Sequence, residues 1–536
     1  MYCSDHRNRV FLLFLLGTVL VFSWGGISVA ADAGPVSAGF HPRTCWFMVP
    51  PQRQVRCGEM VVPERYEHPQ GRLIAFPVAI FRATAGDRRD DPVILLGAGG
   101  PGEAMRLDND AEVGYYWEFY DWILKSGRDL IVMDPRGVGL ARPALTCPEV
   151  LATVPRIWGE VLTLEQELAL LAEYYGYCRE RLVASGVDVG AYNTLNNARD
   201  VEALRKALQI DRWNLYGTSY AASLAMAVIR EFPEGVRSAI LDSVQPPDVR
   251  FFDHYPDNVY GAFRKLFSLC QADKACRRDY PHLLQDLLSV VKRLNREPVR
   301  LVVAYPTTLE PFTVMLTGDA VISVLRQAFY DETQWGRLPM VISGAAKGSY
   351  ELLAPFVRDA LRFELDPDYS DGAHFSTNCR EEVPFNDFPA QYKEAARTPI
   401  VRGYVESVMR YYEVICEVWA VEPSPPRELA PVKSTVPVLI LAGELDPVTL
   451  AAWTEKTTEH FQTAFRHLFP RRSHDVIASS YCATIAAMRF LDEPTKNPFD
   501  HECLKEIPKL SFRQLTRSVG GAAMTRSHRG GIQRGD

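Results

Sequence analysis

The stretch Trp213-Asn214-Leu215-Tyr216-Gly217-Thr218-Ser219-Tyr220-Ala221-Ala222 constrains the fold more than any other part of the chain. A short apolar run passes through a Gly-x-Ser turn directly into small residues at helical spacing, which is how a nucleophile elbow is built. A strand that reverses into a helix over two or three residues lifts the serine hydroxyl clear of the sheet and leaves it beside a helix N-terminus. Ser219 is therefore the first candidate nucleophile. Ala221 stands where the usual G-x-S-x-G pattern has its last glycine, a departure of one methyl group. Gly-x-Ser alone is common by chance, as Gly26-Ile27-Ser28 illustrates, and the competing reading of Ser219 is a turn serine capping a helix.

The surroundings supply a rhythm of short apolar strands and helices. Val55 to Pro63 and Arg72 to Phe81 read as strands suited to an antiparallel edge. Asp91 to Leu96, Asp129 to Met133, the elbow strand and Ser238 to Asp242 read as buried strands, separated by helical periodicity over Leu162–Leu182 and Asn197–Leu208. This alternation predicts a mostly parallel sheet covered by helices on both faces. From Val244 to about Pro431 the rhythm changes to helices, over 259–269, 281–294, 319–330 and 338–363, with one strand pair around 299–314. Sheet rhythm returns at Val436 to Leu441 and Phe465 to Phe469, and a helix over about 476–490 closes the fold. The expected organisation is a core from 31–243 and 432–510, a helical cap over 244–431, and a disordered basic tail over 511–536.

The N-terminal segment has Arg7 and Arg9 before an apolar run from Val10 to Phe22, then small residues around Ala30. It reads as a signal peptide cleaved after Ala30, with an uncleaved anchor as the alternative, and implies a secreted or periplasmic protein. No later stretch is long and apolar enough to span a membrane, so no stable membrane insertion is expected after cleavage. Removing residues 1–30 moves the formal charge from −7 to −8, which gives no electrostatic case for nucleic acid. Ten cysteines remain, an even number that suits disulfides in an exported chain. Pairing in sequence order, each bridge closing a local loop, is the simplest connectivity among those open. Without a Cys-x-x-Cys or clustered Cys/His spacing, no metal site is expected.

In an open α/β sheet, functional groups meet at the C-terminal ends of strands. Ser219, Asp446 in Gly443-Glu444-Leu445-Asp446-Pro447, and His474 in Ser473-His474-Asp475 all follow such ends. A serine hydroxyl is a weak nucleophile until an imidazole takes its proton, and the imidazole needs a carboxylate to fix its tautomer. Rival bases are His467 and His374; rival acids are Asp242 and Asp475.

With these residues assembled, the sequence resembles the secreted tripeptidyl aminopeptidase group of the proline iminopeptidase family, α/β-hydrolase serine peptidases with an inserted cap. The resemblance is carried by Cys57 to Pro63, Gly99-Gly100-Pro101-Gly102, Asp134-Pro135-Arg136-Gly137-Val138-Gly139, Tyr216 to Tyr220, Gly443 to Pro447 and His474. It implies the α/β-hydrolase fold and a cofactor-free enzyme that cleaves peptides from free N-termini, or splits related amide and ester bonds. It also implies Ser219 as nucleophile, His474 as base, Asp446 as orienting acid, and backbone N–H groups of Tyr220 and Gly100 as oxyanion hole. Ala98 and Ser473 depart from the pattern, where a histidine and a glycine are common. A free ammonium calls for a carboxylate at fixed distance from the serine; Glu381, in Asn378-Cys379-Arg380-Glu381-Glu382, is the candidate, against a surface glutamate paired with Arg380. Rival functions are a carboxylesterase or lipase on the same fold, and a catalytically inactive binding module.

Overall fold

The computed structural model describes residues 37–505, 507 and 510–512; the segment read as a signal peptide, its expected cleavage site after Ala30 and nearly all of the tail lie outside the described residues. Eleven strands run in chain order as β1 (Gly39–Arg43), β2 (Val55–Pro63), β3 (Leu73–Phe81), β4 (Val93–Leu95), β5 (Leu130–Met133), β6 (Trp213–Thr218), β7 (Val236–Asp242), β8 (Val299–Ala304), β9 (Pro311–Leu316), β10 (Val438–Gly443) and β11 (Ala464–Phe469). Nine form one sheet in the order β1-β2-β3-β5-β4-β6-β7-β10-β11. The first three are antiparallel, β3 meets β5 antiparallel, and all pairs from β5 to β11 are parallel. The central strands are apolar throughout because both faces are covered. One hydrophobic cluster packs Ile94, Leu215 and Leu241 against Ala225 and Ile229 of the helix Tyr220–Glu231. Another packs Val132, Tyr216 and Leu441 against Ile123 and Phe490 on the opposite face.

The register places the site. Leu95 of β4 pairs with Tyr216 of β6, so the glycine loop after β4 emerges beside Ser219. Here β4 lies between β5 and β6, the point where strand order reverses and where ligands bind in such sheets. Residues 244–431 give no strand to this sheet. They form the antiparallel β8–β9 hairpin and helices whose side chains make up most of a third cluster, centred on Phe263, Leu287, Val321 and Leu338.

Several elements differ from the sequence expectation. The helix expected over 338–363 is two helices, Leu338–Ala346 and Ala354–Glu364, interrupted at Gly348, whose φ of +95° ends the first. The helix expected over 476–490 is broken at Ser480, whose backbone is extended, into Val476–Ser479 and Tyr481–Asp492. The helices Asp371–Glu381 and Arg402–Trp419 went unmarked in the sequence, and they are clamped to each other by Cys379–Cys416. All ten cysteines among the described residues pair in sequence order: 45–57, 147–178, 270–276, 379–416 and 482–503.

The segment 134–139 is scaffolding. Arg136 is fully buried and bidentate to Asp200, at 2.7 and 2.6 Å, and donates to the carbonyls of Glu64 and Ala191. Asp134 accepts from the backbone N–H of Met105 and Leu140, which fixes the chain just beyond the glycine loop. Removing one partner of a fully buried pair strands the other charge, so Arg136→Ala is expected to cost about 3–5 kcal/mol. Denaturant unfolding of Arg136→Ala beside the double replacement Arg136→Met/Asp200→Leu checks this, the double variant losing less.

Candidate active site

Ser219 has φ +59° and ψ −126°, a conformation that L residues rarely adopt, and its side chain makes no cap hydrogen bond. The capping reading is not met: the hydroxyl makes no cap hydrogen bond to the helix it precedes. Gly217 explains how the turn closes, since a Cβ there would lie 2.2 Å from the carbonyl oxygen of Ala221. The glycine that the elbow requires is thus Gly217, and the methyl group of Ala221 is accommodated in the core.

The imidazole Nδ1 of His474 lies 2.8 Å from Asp446 Oδ2. The other carboxylate contacts are donated by the backbone N–H of Val448 and Thr449 to Oδ1, at 2.8 and 2.9 Å, and by the Thr449 hydroxyl to Oδ2, at 2.6 Å. With Nδ1 committed to Asp446, Nε2 is the ring nitrogen left for proton transfer. The loops after β10 and β11 approach so closely that a Cβ on Gly443 would lie 2.0 Å from the Ser473 carbonyl oxygen. Burial pushes the His474 pKa down, but the charge and hydrogen bond of Asp446 outweigh it and the net shift is upward. Burial pushes the Asp446 pKa up, and His474 with Thr449 brings it below the ordinary carboxylate value.

The rivals are occupied elsewhere. Asp242 accepts from the N–H groups of Val476 and Ile477 and from the Ser243 hydroxyl, and so starts the short turn after His474. Asp475 caps Ala478. His467 packs edge-on to Phe469 within β11. His374 is bound by Tyr369, Tyr412 and the Pro101 carbonyl, and burial pushes its pKa down to about 4, which keeps it neutral.

Ser219, His474, Gly99, Gly100 and Tyr220 all line one cavity of about 1180 Å³. Gly100 has φ +101°, and Tyr220 is the first residue of its helix, where N–H groups have no intrahelical acceptor. Glu381 also lines the cavity. Its carboxylate accepts from the Thr194 N–H at 2.8 Å and from the Thr194 hydroxyl, which lies 2.9 Å from the Tyr220 hydroxyl. It is half-buried, and its neighbour Arg380 pairs instead with Glu428. Burial raises the Glu381 pKa to about 7 despite the Thr194 bonds.

Three groups in this cavity carry no sequence signal of their own. Glu382, beside Glu381, accepts from Gln245 and the Phe251 N–H. Glu103 faces Gly99 and lies in the field of His474, and burial raises its pKa to about 7. Arg326 lines the wall near Tyr330, whose ring meets the His474 ring edge-on. Adjacency to Glu381 could have flagged Glu382. Chemically, the arrangement is a hydroxyl, a carboxylate-oriented imidazole and helix-start N–H groups lining one cavity, a set suited to acyl transfer.

A family model described as alpha/beta hydrolase fold matches residues 92–479. Serine protease Hip1 of Mycobacterium tuberculosis is 24% identical over 428 residues, covering 73% of this chain and 76% of that protein. Tripeptidyl aminopeptidase of Streptomyces lividans is 24% identical over 444 residues, covering 79% and 78%. The solved proline iminopeptidase of Mycobacterium smegmatis aligns over 82% of this chain and 98% of its own, at 14% identity with a TM-score of 0.36.

Proposed function

The chain belongs to the alpha/beta hydrolase fold family, and from that premise we propose that it is an exported serine exopeptidase releasing short peptides or amino acids from free N-termini. The hydrogen bond between Asp446 and His474, at 2.8 Å in the cavity that Ser219 also lines, carries the reading. In this mechanism Ser219 Oγ attacks the scissile carbonyl while His474 Nε2 takes its proton, and Asp446 holds the imidazole in the required tautomer. The backbone N–H groups of Tyr220 and Gly100 receive the oxyanion. His474 then protonates the leaving amine, and water completes the cycle at the acyl-enzyme. The segment 244–431 serves as the cap over the core segments 31–243 and 432–510.

Peptides are favoured over uncharged esters by the peptidase names of the relatives and by the half-buried carboxylates of Glu381 and Glu382 in the cavity wall. An acyl chain has no use for them, whereas a desolvated ammonium does. Glu381 is the proposed ammonium anchor, coupled through Thr194 to the ring of Tyr220. Export is supported by the five disulfides, which persist in oxidising compartments.

Turnover of free and N-acetylated tripeptidyl anilides, beside short acyl esters, tests the proposal. Strong preference for the free amine is expected; equal turnover of the acetylated peptide overturns the exopeptidase assignment, and turnover of esters alone favours an esterase. Glu381→Gln is expected to raise KM for the free-amine substrate by about 10–100-fold, without a matching rise for the acetylated one. The pH dependence has a definite sign. Glu381 must be ionised to hold an ammonium, so the KM for free-amine substrates falls as pH rises through about 7. It rises again where the substrate amine deprotonates, near about 8. Steady-state kinetics across pH 6–9 check the window, and its lower limb disappears in Glu381→Gln.

A further inference from the structure

The cavity wall carries many carboxylates and, near the imidazole, one guanidinium that none of them neutralises. Arg326 lies on the helix Gly318–Ala328 among three tyrosines, with its Cζ 5.6 Å from the Tyr255 ring centre and 5.8 Å from that of Tyr330. Tyr404 completes the group, its hydroxyl 3.1 Å from that of Tyr255. Among the described residues no carboxylate is within ion-pair distance of Arg326, its Nε has no hydrogen-bond partner, and the Tyr330 hydroxyl is a polar contact of its guanidinium. The fully buried Arg128 and Arg136 and the half-buried Arg380 each hold a carboxylate. Arg326 is half-buried; a charge partly removed from water without a counter-charge is costly, and aromatic faces replace only part of the lost hydration. Arg326 is therefore a cation in want of an anion, facing a space large enough to admit one.

Its position suggests which anion. The Tyr330 ring is 5.5 Å from the His474 ring, so Arg326 Cζ is within about 11 Å of the imidazole, on the side reached through the base rather than through Tyr220. The leaving amine receives its proton from that imidazole. Measured from there, an extended fragment spans about 3.3–3.6 Å per residue, so at most about three residues separate the cleaved bond from the guanidinium. A planar fork of donors suits a carboxylate held by two hydrogen bonds.

We propose that Arg326 binds the C-terminal carboxylate of the substrate, so that the enzyme acts on short peptides with both termini free and releases a leaving fragment of one to three residues. The proposal rests on the exopeptidase reading above and adds a second recognition point at the opposite terminus of the substrate.

Paired peptides of one sequence, ending in a free carboxylate or an amide and all with a free N-terminus, test it with leaving fragments of one, two, three and six residues. In the wild type, kcat/KM is expected to be about tenfold or more higher for the carboxylate than the amide at the short lengths, with the advantage lost at six residues. Arg326→Gln is expected to bring the two forms to the same value, and Arg326→Lys to restore part of the difference, whereas a merely structural arginine would lower both forms together. Should the glutamine variant fail to fold, product inhibition of the wild type serves instead: the released acid is expected to inhibit about tenfold more strongly than its amide. Equal turnover of acid and amide, or equal inhibition by both products, overturns the proposal while leaving the exopeptidase reading intact. Cleavage of neither peptide, with esters turned over, removes both.

Discussion

Ser219→Ala is expected to lower kcat/KM on a free-amine tripeptidyl anilide by about a million-fold, leaving only the residual catalysis of binding and oxyanion contacts. The loss is confined to chemistry. Alanine keeps the Cβ, so the strained backbone at φ +59° is retained and the melting temperature stays close to that of the wild type. Ser219→Gly separates the two consequences of the elbow: it is equally inactive, yet about 1–3 kcal/mol more stable, because glycine occupies positive φ without the cost that an L side chain carries. Active-site titration with a fluorophosphonate and thermal unfolding of the three proteins check both parts. Substantial turnover by Ser219→Ala would place the nucleophile elsewhere.

Asp446→Asn is expected to cost about four orders of magnitude in kcat, with little change in fold. Asparagine has the shape of the native side chain but offers a donor where Oδ2 now receives both His474 Nδ1 and the Thr449 hydroxyl. The imidazole is then held in the wrong tautomer, or released. The pH profile carries the sign. The active form needs a neutral imidazole, and Asp446 holds the His474 pKa above its ordinary 6.5, so wild-type kcat/KM rises with pH on the alkaline side of that value. In Asp446→Asn the largest raising cause is gone while burial remains, and the residual activity gains its limb at lower pH. Asp475→Asn and Asp242→Asn are controls, since their carboxylates cap backbone N–H groups instead of touching the ring. A loss at Asp475 as large as that at Asp446 would transfer the orienting role.

The hydrolase sheet was readable because buried parallel strands are continuous apolar runs bounded by turn residues, and ten of eleven strands lie close to where such runs fall. The exception, β1, is a short edge strand whose Gly-Phe-His-Pro-Arg sequence has no apolar period. Helix boundaries in 244–431 were less readable. There the breaks depend on a left-handed Gly348 and on packing among helices; Asp371–Glu381 starts at the Ser370 side-chain cap and Arg402–Trp419 ends at Ala420, whose φ is +49°.

By itself the sequence determined that a Gly-x-Ser strand–turn–helix follows a buried strand, and that Ser219, Asp446 and His474 each lie beyond the C-terminal end of a strand of one sheet. Those facts are local: turn chemistry, glycine placement and strand period are written in neighbouring residues. Only the tertiary structure decided that Asp446 rather than Asp242 or Asp475 meets the ring, that Glu381 turns inward to Thr194 while Arg380 goes to Glu428, and that Arg326 is left without a counter-charge. Each of those outcomes depends on which distant groups share a buried space, and a charged residue's partner there is chosen by the cost of desolvation, which no local pattern records.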